Sequence, residues 1–173
     1  MHCTLVRHPP TINTQGLCYG RLEVAVEPRV MHACAQQLTH LRGLPVYSSP
    51  AQRCLELAYL LTDTPIICPE LQELDFGCWE GLAWDDISRT DLDAWAADID
   101  HYRVGVNGET AHELAQRWQV FRAQRQTEQA EQHIVVISHA GIIRSALAEA
   151  NLISEAQRWS YPIAYATPYL LEW

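Results

Sequence analysis

Apolar residues along the chain fall into two kinds of segment. Short apolar runs occur at Cys3 to Val6 and at Val46-Tyr47, and a continuous one at Ile134 to Ile137. The last is wholly β-branched, as a strand covered on both faces requires. Between these runs lie stretches with helical spacing. Pro28 opens one, with Val30, Ala33, Cys34, Leu38 and Leu41 on a common face and Gly43 and Pro45 closing it. Ser49 and Pro50 have the residue types of an N-cap and a first helical position, ahead of Cys54, Leu57, Ala58 and Leu61. Thr110 and Glu113 have capping-box spacing before Leu114, Trp118 and Phe121, which predicts a long helix. A further helix carries Ile143, Ala146, Leu147 and Ala150. The alternation predicts an α/β fold, a three-layer α/β/α sandwich with a mostly parallel central sheet. No repeat and no Gly-, Pro- or Ser-rich linker divides it, so residues 1–173 read as one domain.

The same pattern places the polar chemistry. The first apolar run ends in Arg7-His8-Pro9-Pro10, and two prolines forbid both continued strand pairing and an immediate helix. The second run ends in Ser48-Ser49 and the third in Ser138-His139. Right-handed crossovers bring the C-terminal ends of parallel strands to one edge of the sheet, where ligands bind in such folds.

Charge restricts what that edge can bind. Twelve Lys and Arg stand against 21 Asp and Glu, for a net charge of −9, so the chain has no general attraction for nucleic acid or an anionic membrane. No apolar run approaches the roughly 20 residues that span a bilayer. The N-terminus lacks the basic and apolar regions of a signal peptide, and a cytoplasmic location is expected. The six cysteines show no CxxC pairing and read as small, mostly buried hydrophobes of a reducing compartment. No HxH, HExxH or clustered-carboxylate pattern appears, so neither a metal nor another cofactor is expected.

An acidic chain that binds an anion needs local arginines. Phosphoryl transfer through a protein nucleophile needs that nucleophile, cations on the non-bridging oxygens and an acid for the leaving alcohol. Neutral imidazole is a competent nucleophile near pH 7, and arginine bonds two phosphoryl oxygens without losing its charge. Arg7 adjoins His8, Arg53 lies early in a helix that begins at a strand end, and His139 immediately precedes a helix N-terminus. Taken singly, each has a plainer reading: a structural Arg-His pair, an arginine whose stem covers the core, a buried histidine.

Taken together, LVRH at residues 5–8, SSPAQR at 48–53, ELDFGCWEG at 73–81, NGET at 107–110 and SHAGIIR at 138–144 resemble the histidine phosphatase superfamily in motif and order. The resemblance implies a phosphomonoesterase in which His8 carries the phosphoryl group, Arg7 and Arg53 bind it, His139 hydrogen-bonds it and Glu73 is the proton donor. Asp75 and Glu80 rival Glu73 on chemistry alone. The family's usual RHG reads Arg7-His8-Pro9 here, which removes a backbone donor. Asn13 or Thr14 stands for a downstream Asn, and Ala140 replaces a commoner Gly. The stretch Gly16 to Arg21 is most similar to bacterial α-ribazole phosphatases of cobalamin assembly, which implies substrate contacts at Asn13, Tyr19, Gly20 and Arg21. The implied partner is a small phosphomonoester, and homodimerisation is compatible with the sequence. A phosphoglycerate mutase-type isomerase and a non-catalytic phospho-ligand-binding protein are the alternatives.

Overall fold

The computed structural model describes residues 1–128 and 133–172. Five strands form one sheet: β1 (His2–Arg7), β2 (Val46–Ser48), β3 (Ile66–Ile67), β4 (His133–Ser138) and β5 (Pro168–Glu172), in the order β3-β2-β4-β1-β5. The pairings β1–β4, β2–β4 and β2–β3 are parallel, and β5 closes one edge antiparallel to β1. The helices are α1 (Pro28–Gln37), α2 (Gln52–Leu61), α3 (Arg89–Ala97), α4 (Ala111–Glu128) and α5 (Ala140–Glu149). The expected mostly parallel α/β architecture is what the chain adopts.

Side chains of the central strands alternate between two cores, as the period of a strand dictates. Cys3, Leu5, Ile134 and Val136 join Leu114, Trp118, Phe121, Ile142 and Ile143 of α4 and α5 on one face. Val6, Val46, Val135 and Ile137 join Met31, Ala35, Cys54, Leu57, Ala58 and Leu61 of α1 and α2 on the other. Both faces are therefore covered, which explains why the β4 run shows no polar alternation.

Several expectations need correction. The buried face of α1 is Met31 and Ala35, continued by Leu38 at the C-cap, while Ala33 is exposed and Val30 only half-buried. Ser49 does not cap α2: that helix begins at Gln52 with Ala51 as N-cap, because Ser49 still belongs to the strand ladder through its N–H to Ile137 O (3.0 Å). Ala150 is an exposed C-cap of α5. Cys34 is half-buried and Cys78 exposed, against four buried cysteines, and all six are free thiols. The capping box of α4 is present as expected, with Glu113 N–H donating to Thr110 Oγ1 at 3.1 Å and Thr110 N–H to Glu113 Oε2 at 2.8 Å. Elements β3, β5 and α3 were not foreseen. The first is two exposed isoleucines, and α3 is a short helix with no fully buried residue.

The register aligns the strand ends. Arg7 sits beside Ser138 and Ser48 beside Ile137, so residues 8, 49 and 139 emerge together at one sheet edge.

Candidate active site

His8 follows the last residue of β1 and extends the ladder by donating its N–H to Ser138 O (3.0 Å). Its ring is 2% exposed. Nδ1 lies 2.8 Å from Pro9 O. A carbonyl only accepts, so Nδ1 carries the hydrogen and Nε2 keeps its lone pair. Pro9 thus forfeits a donor but supplies the acceptor that selects the His8 tautomer. Burial first, then the Arg53 and Arg7 charges, push the His8 pKa down to about 3, against an opposing contribution from the Pro9 carbonyl. The ring is neutral at physiological pH.

His139 is the N-cap of α5. Its Nδ1 lies 3.2 Å from Arg53 Nη2 and its Nε2 2.8 Å from Ser49 Oγ. Guanidinium only donates, so Nδ1 accepts and the Nε2 hydrogen goes to Ser49. Burial, then the neighbouring His8 and Arg53, hold this ring well below the usual imidazole range. The two imidazoles meet edge to face at 5.2 Å.

The arginines enter from opposite elements. Arg53, in the first turn of α2, is 1% exposed and donates from Nη2 to Gly20 O (2.5 Å) and from Nη1 to Leu22 O (3.0 Å). Arg7 donates from Nη1 to Ile163 O (2.7 Å). The Nε atoms of both are buried and have no acceptor among the described residues. A buried donor left unbonded is costly, and an anionic oxygen is the strongest acceptor that could satisfy it.

Glu73 approaches the start of α5, where its carboxylate accepts from Gly141 N–H (3.1 Å) and from Leu74 N–H (2.9 Å). A Cβ on Gly141 would collide with that carboxylate, so glycine is what admits Glu73 to the site. The rival carboxylates are engaged elsewhere. Glu80 accepts from the N–H groups of Gly20, Arg21, Leu22 and Phe76, and Asp75 accepts from Gly77 N–H and pairs with Arg21.

Arg7, His8, Arg53, Glu73 and His139 line one cavity of about 590 Å³, together with Tyr19. Tyr19 lies 5.7 Å from the Arg53 guanidinium and bonds Thr11 Oγ1 at 3.1 Å. The other expected substrate contacts do not line it. Asn13 is exposed in a left-handed conformation (φ 58°). Gly20 supports Arg53 from behind through its carbonyl, and a Cβ there would overlap the Leu74 backbone. Arg21 pairs with Asp75 and Glu109. Gly20 and Arg21 instead border a smaller cavity of about 210 Å³ with Glu73 and His139. Sequence reasoning gave no role to Arg144 or to the largely aromatic remainder of the main cavity wall. Arg144 ends the SHAGIIR motif, and the unusual count of six tryptophans was the available signal for the wall.

Residues 3–173 match the family model of the histidine phosphatase superfamily (branch 1), and the chain belongs to that superfamily and is a phosphatase. It is 29% identical, over 94% of its length and 85% of the relative's, to an adenosylcobalamin/α-ribazole phosphatase of Escherichia coli (strain K12). It is 27% identical, over 82% of its length and 65% of the relative's, to a metal-independent phosphoserine phosphatase of Arabidopsis thaliana. The solved structure of a putative α-ribazole-5′-P phosphatase from Escherichia coli superimposes with a TM-score of 0.85 at 27% identity, covering 98% of this chain and 89% of that one. Among the described residues no helix is long and apolar enough to cross a membrane, and no three His, Cys, Asp or Glu side chains gather to hold a metal ion.

Proposed function

We propose that this chain hydrolyses a small phosphomonoester in two displacements at His8, without a metal, and that α-ribazole 5′-phosphate is its substrate. The observation that carries the reading is the neutral His8 ring, with Nδ1 bonded to Pro9 O and a free Nε2 lone pair, in one cavity with two arginines that hold unbonded Nε donors. In the first displacement Nε2 bonds phosphorus while the ester oxygen leaves with a proton from Glu73. In the second, water attacks the phosphohistidine, its proton passes to Glu73, and phosphate and free His8 are regenerated. Arg7 and Arg53 bind the non-bridging oxygens throughout, and His139 fixes Arg53 through Nδ1. The similarity to adenosylcobalamin/α-ribazole phosphatases along 94% of the chain supports the substrate.

The test is a panel of α-ribazole 5′-phosphate, phosphoserine and 3-phosphoglycerate, each assayed with and without EDTA. Highest kcat/KM on α-ribazole 5′-phosphate, unchanged by chelation, is expected. Rapid conversion of 3-phosphoglycerate to 2-phosphoglycerate, primed by a bisphosphoglycerate, would make the chain a mutase. Hydrolysis abolished by EDTA and restored by a divalent ion would overturn the mechanism.

A further inference from the structure

The wall of the cavity away from the phosphoryl groups is built from residues that the chemistry at His8 does not use. Trp84 and Trp95 lie parallel, 6° apart in plane with centroids 6.1 Å apart, and Phe76 meets both edge to face at 5.7 and 6.1 Å. All three line the cavity, as do Ile99 and Trp159. Trp84 and Trp95 belong to the segment around α3, whereas Trp159 belongs to the connection after α5. The two segments are joined by an ion pair between Asp100 and Arg158, the immediate neighbours of Ile99 and Trp159. Trp95 Nε1 is buried and has no hydrogen-bond partner among the described residues.

The charge around this wall is one-sided. Residues 84–100 contain six aspartates against a single arginine, Arg89. Arg89 pairs with Asp93, and Arg158 is committed to Asp100 and Glu155. A second anionic group on a substrate would meet negative field here and find little positive charge to receive it. Arg144, the remaining lining cation, donates from Nε to Tyr161 O (2.8 Å) and keeps its charge beside Glu73 and Arg7, at the His8 end of the cavity rather than on this wall.

We infer that Trp84, Trp95 and Trp159 form a leaving-group subsite for a planar, uncharged or cationic ring, held together by the Asp100–Arg158 pair. Rigid indole faces offer a large apolar area at low entropic cost, and ring stacking on them tolerates any flat π-system. The inference rests on the reading of His8 as the phosphoryl acceptor, and it assigns to named residues the selection of the alcohol. It also distinguishes this chain's cavity from one suited to phosphoserine or phosphoglycerate, whose alcohols carry a carboxylate.

The experiment compares two substrates that differ only in the ring: ribose 5-phosphate and an N-ribosylbenzimidazole 5′-phosphate. The wild-type chain is expected to favour the ring-bearing ester by at least about ten-fold in kcat/KM, and Trp159→Ala to shrink that ratio by about ten-fold, mainly through KM. Titration of the dephosphorylated benzimidazole riboside should quench tryptophan fluorescence saturably in the wild type and more weakly in Trp159→Ala. Equal efficiency on both esters, a ratio unmoved by Trp159→Ala, or preference for phosphoserine would each overturn the subsite. Phosphohistidine trapped from p-nitrophenyl phosphate is scored separately: its absence defeats the His8 reading, whereas its presence with an unmoved ratio defeats the subsite alone.

Discussion

The ring of Tyr165 lies across the Arg7 guanidinium, with Cζ 3.7 Å from the ring centroid. The loop holding Tyr165 grips Arg7 at two further points: Ile163 O accepts from Nη1, and Ala166 N–H donates to Arg7 O (2.9 Å) with Ala166 in a left-handed conformation (φ 48°). Tyr165 also sits 5.7 Å from the His8 ring, on the cavity side where Tyr19 lies 5.7 Å from the Arg53 guanidinium. On the proposed reading it is therefore a positioning residue for Arg7, one of the two cations assigned to the phosphoryl group. Tyr165→Ala should lower kcat/KM by about ten-fold and weaken inhibition by inorganic phosphate in parallel, while Tyr165→Phe, which keeps the stacked face, restores both. Equal losses in the two variants would mean that the hydroxyl, and not the ring, is what matters.

The proposed covalent step has its own signature. With Nδ1 committed to Pro9 O, only Nε2 of His8 can attack, and His139 has both ring nitrogens engaged by Arg53 and Ser49. Rapid alkaline quench during turnover should trap acid-labile, base-stable phosphate on His8, and His8→Ala should lose at least about 10³-fold in rate. Comparable turnover by His8→Ala, or label on His139, would break this assignment.

How much of this was legible in the sequence follows from the physics of each part. The strands β1, β2 and β4 were readable because both faces are buried, leaving uninterrupted apolar runs. Their ends, carrying Arg7-His8, Ser48-Ser49 and Ser138-His139, were readable because polar residues follow those runs directly. Capping at Thr110 and Glu113 is local and could be seen at once. The Ser49-Pro50 pair misled because a capping residue type cannot reveal that its N–H is already taken by a neighbouring strand. Asn13, Gly20 and Arg21 stand outside the main cavity, because a loop residue near the site reads the same whether it faces the cavity or, like Gly20, supports Arg53 from its carbonyl. The Trp84–Trp95 wall joins residues of irregular segments, and no periodicity announces such a surface.

Acid should destabilise the fold through the two buried imidazoles. The folded pKa of His8 is depressed to about 3 from 6.5, and that of His139 is depressed as well. Between those limits the unfolded chain binds protons that the folded chain refuses, so the free energy of unfolding rises with pH there and falls as pH drops below about 6.5. The contribution is fully present above pH 6.5. Thermal melts between pH 7.5 and 4.5 should show Tm falling with acid, and His139→Gln should flatten that slope relative to its own value at pH 7.5. Identical slopes for the two proteins would show that other groups govern the acid limb.

The general acid can be separated from mere placement by changing the leaving group. The alkoxide of a ribose-type ester leaves poorly without a proton, whereas nitrophenolate leaves readily. Glu73→Gln should therefore slow phosphohistidine formation from a ribose-type phosphate by roughly 10²–10⁴-fold, the usual contribution of a positioned acid, and affect p-nitrophenyl phosphate far less in the same step. Single-turnover bursts isolate that displacement from the hydrolysis that follows it. A second variant tests position without removing the group. In Gly141→Ala the new Cβ falls on the Glu73 carboxylate, which must then retreat from the start of α5. The displaced acid should reproduce the substrate-dependent loss in weaker form, with the phosphate-binding arginines untouched. Equal damage to both substrates in Glu73→Gln would make Glu73 a binding or structural residue. The proton would then have to come from a group other than Asp75 or Glu80, because their engagement with Arg21 and with four backbone N–H groups keeps them out of this cavity.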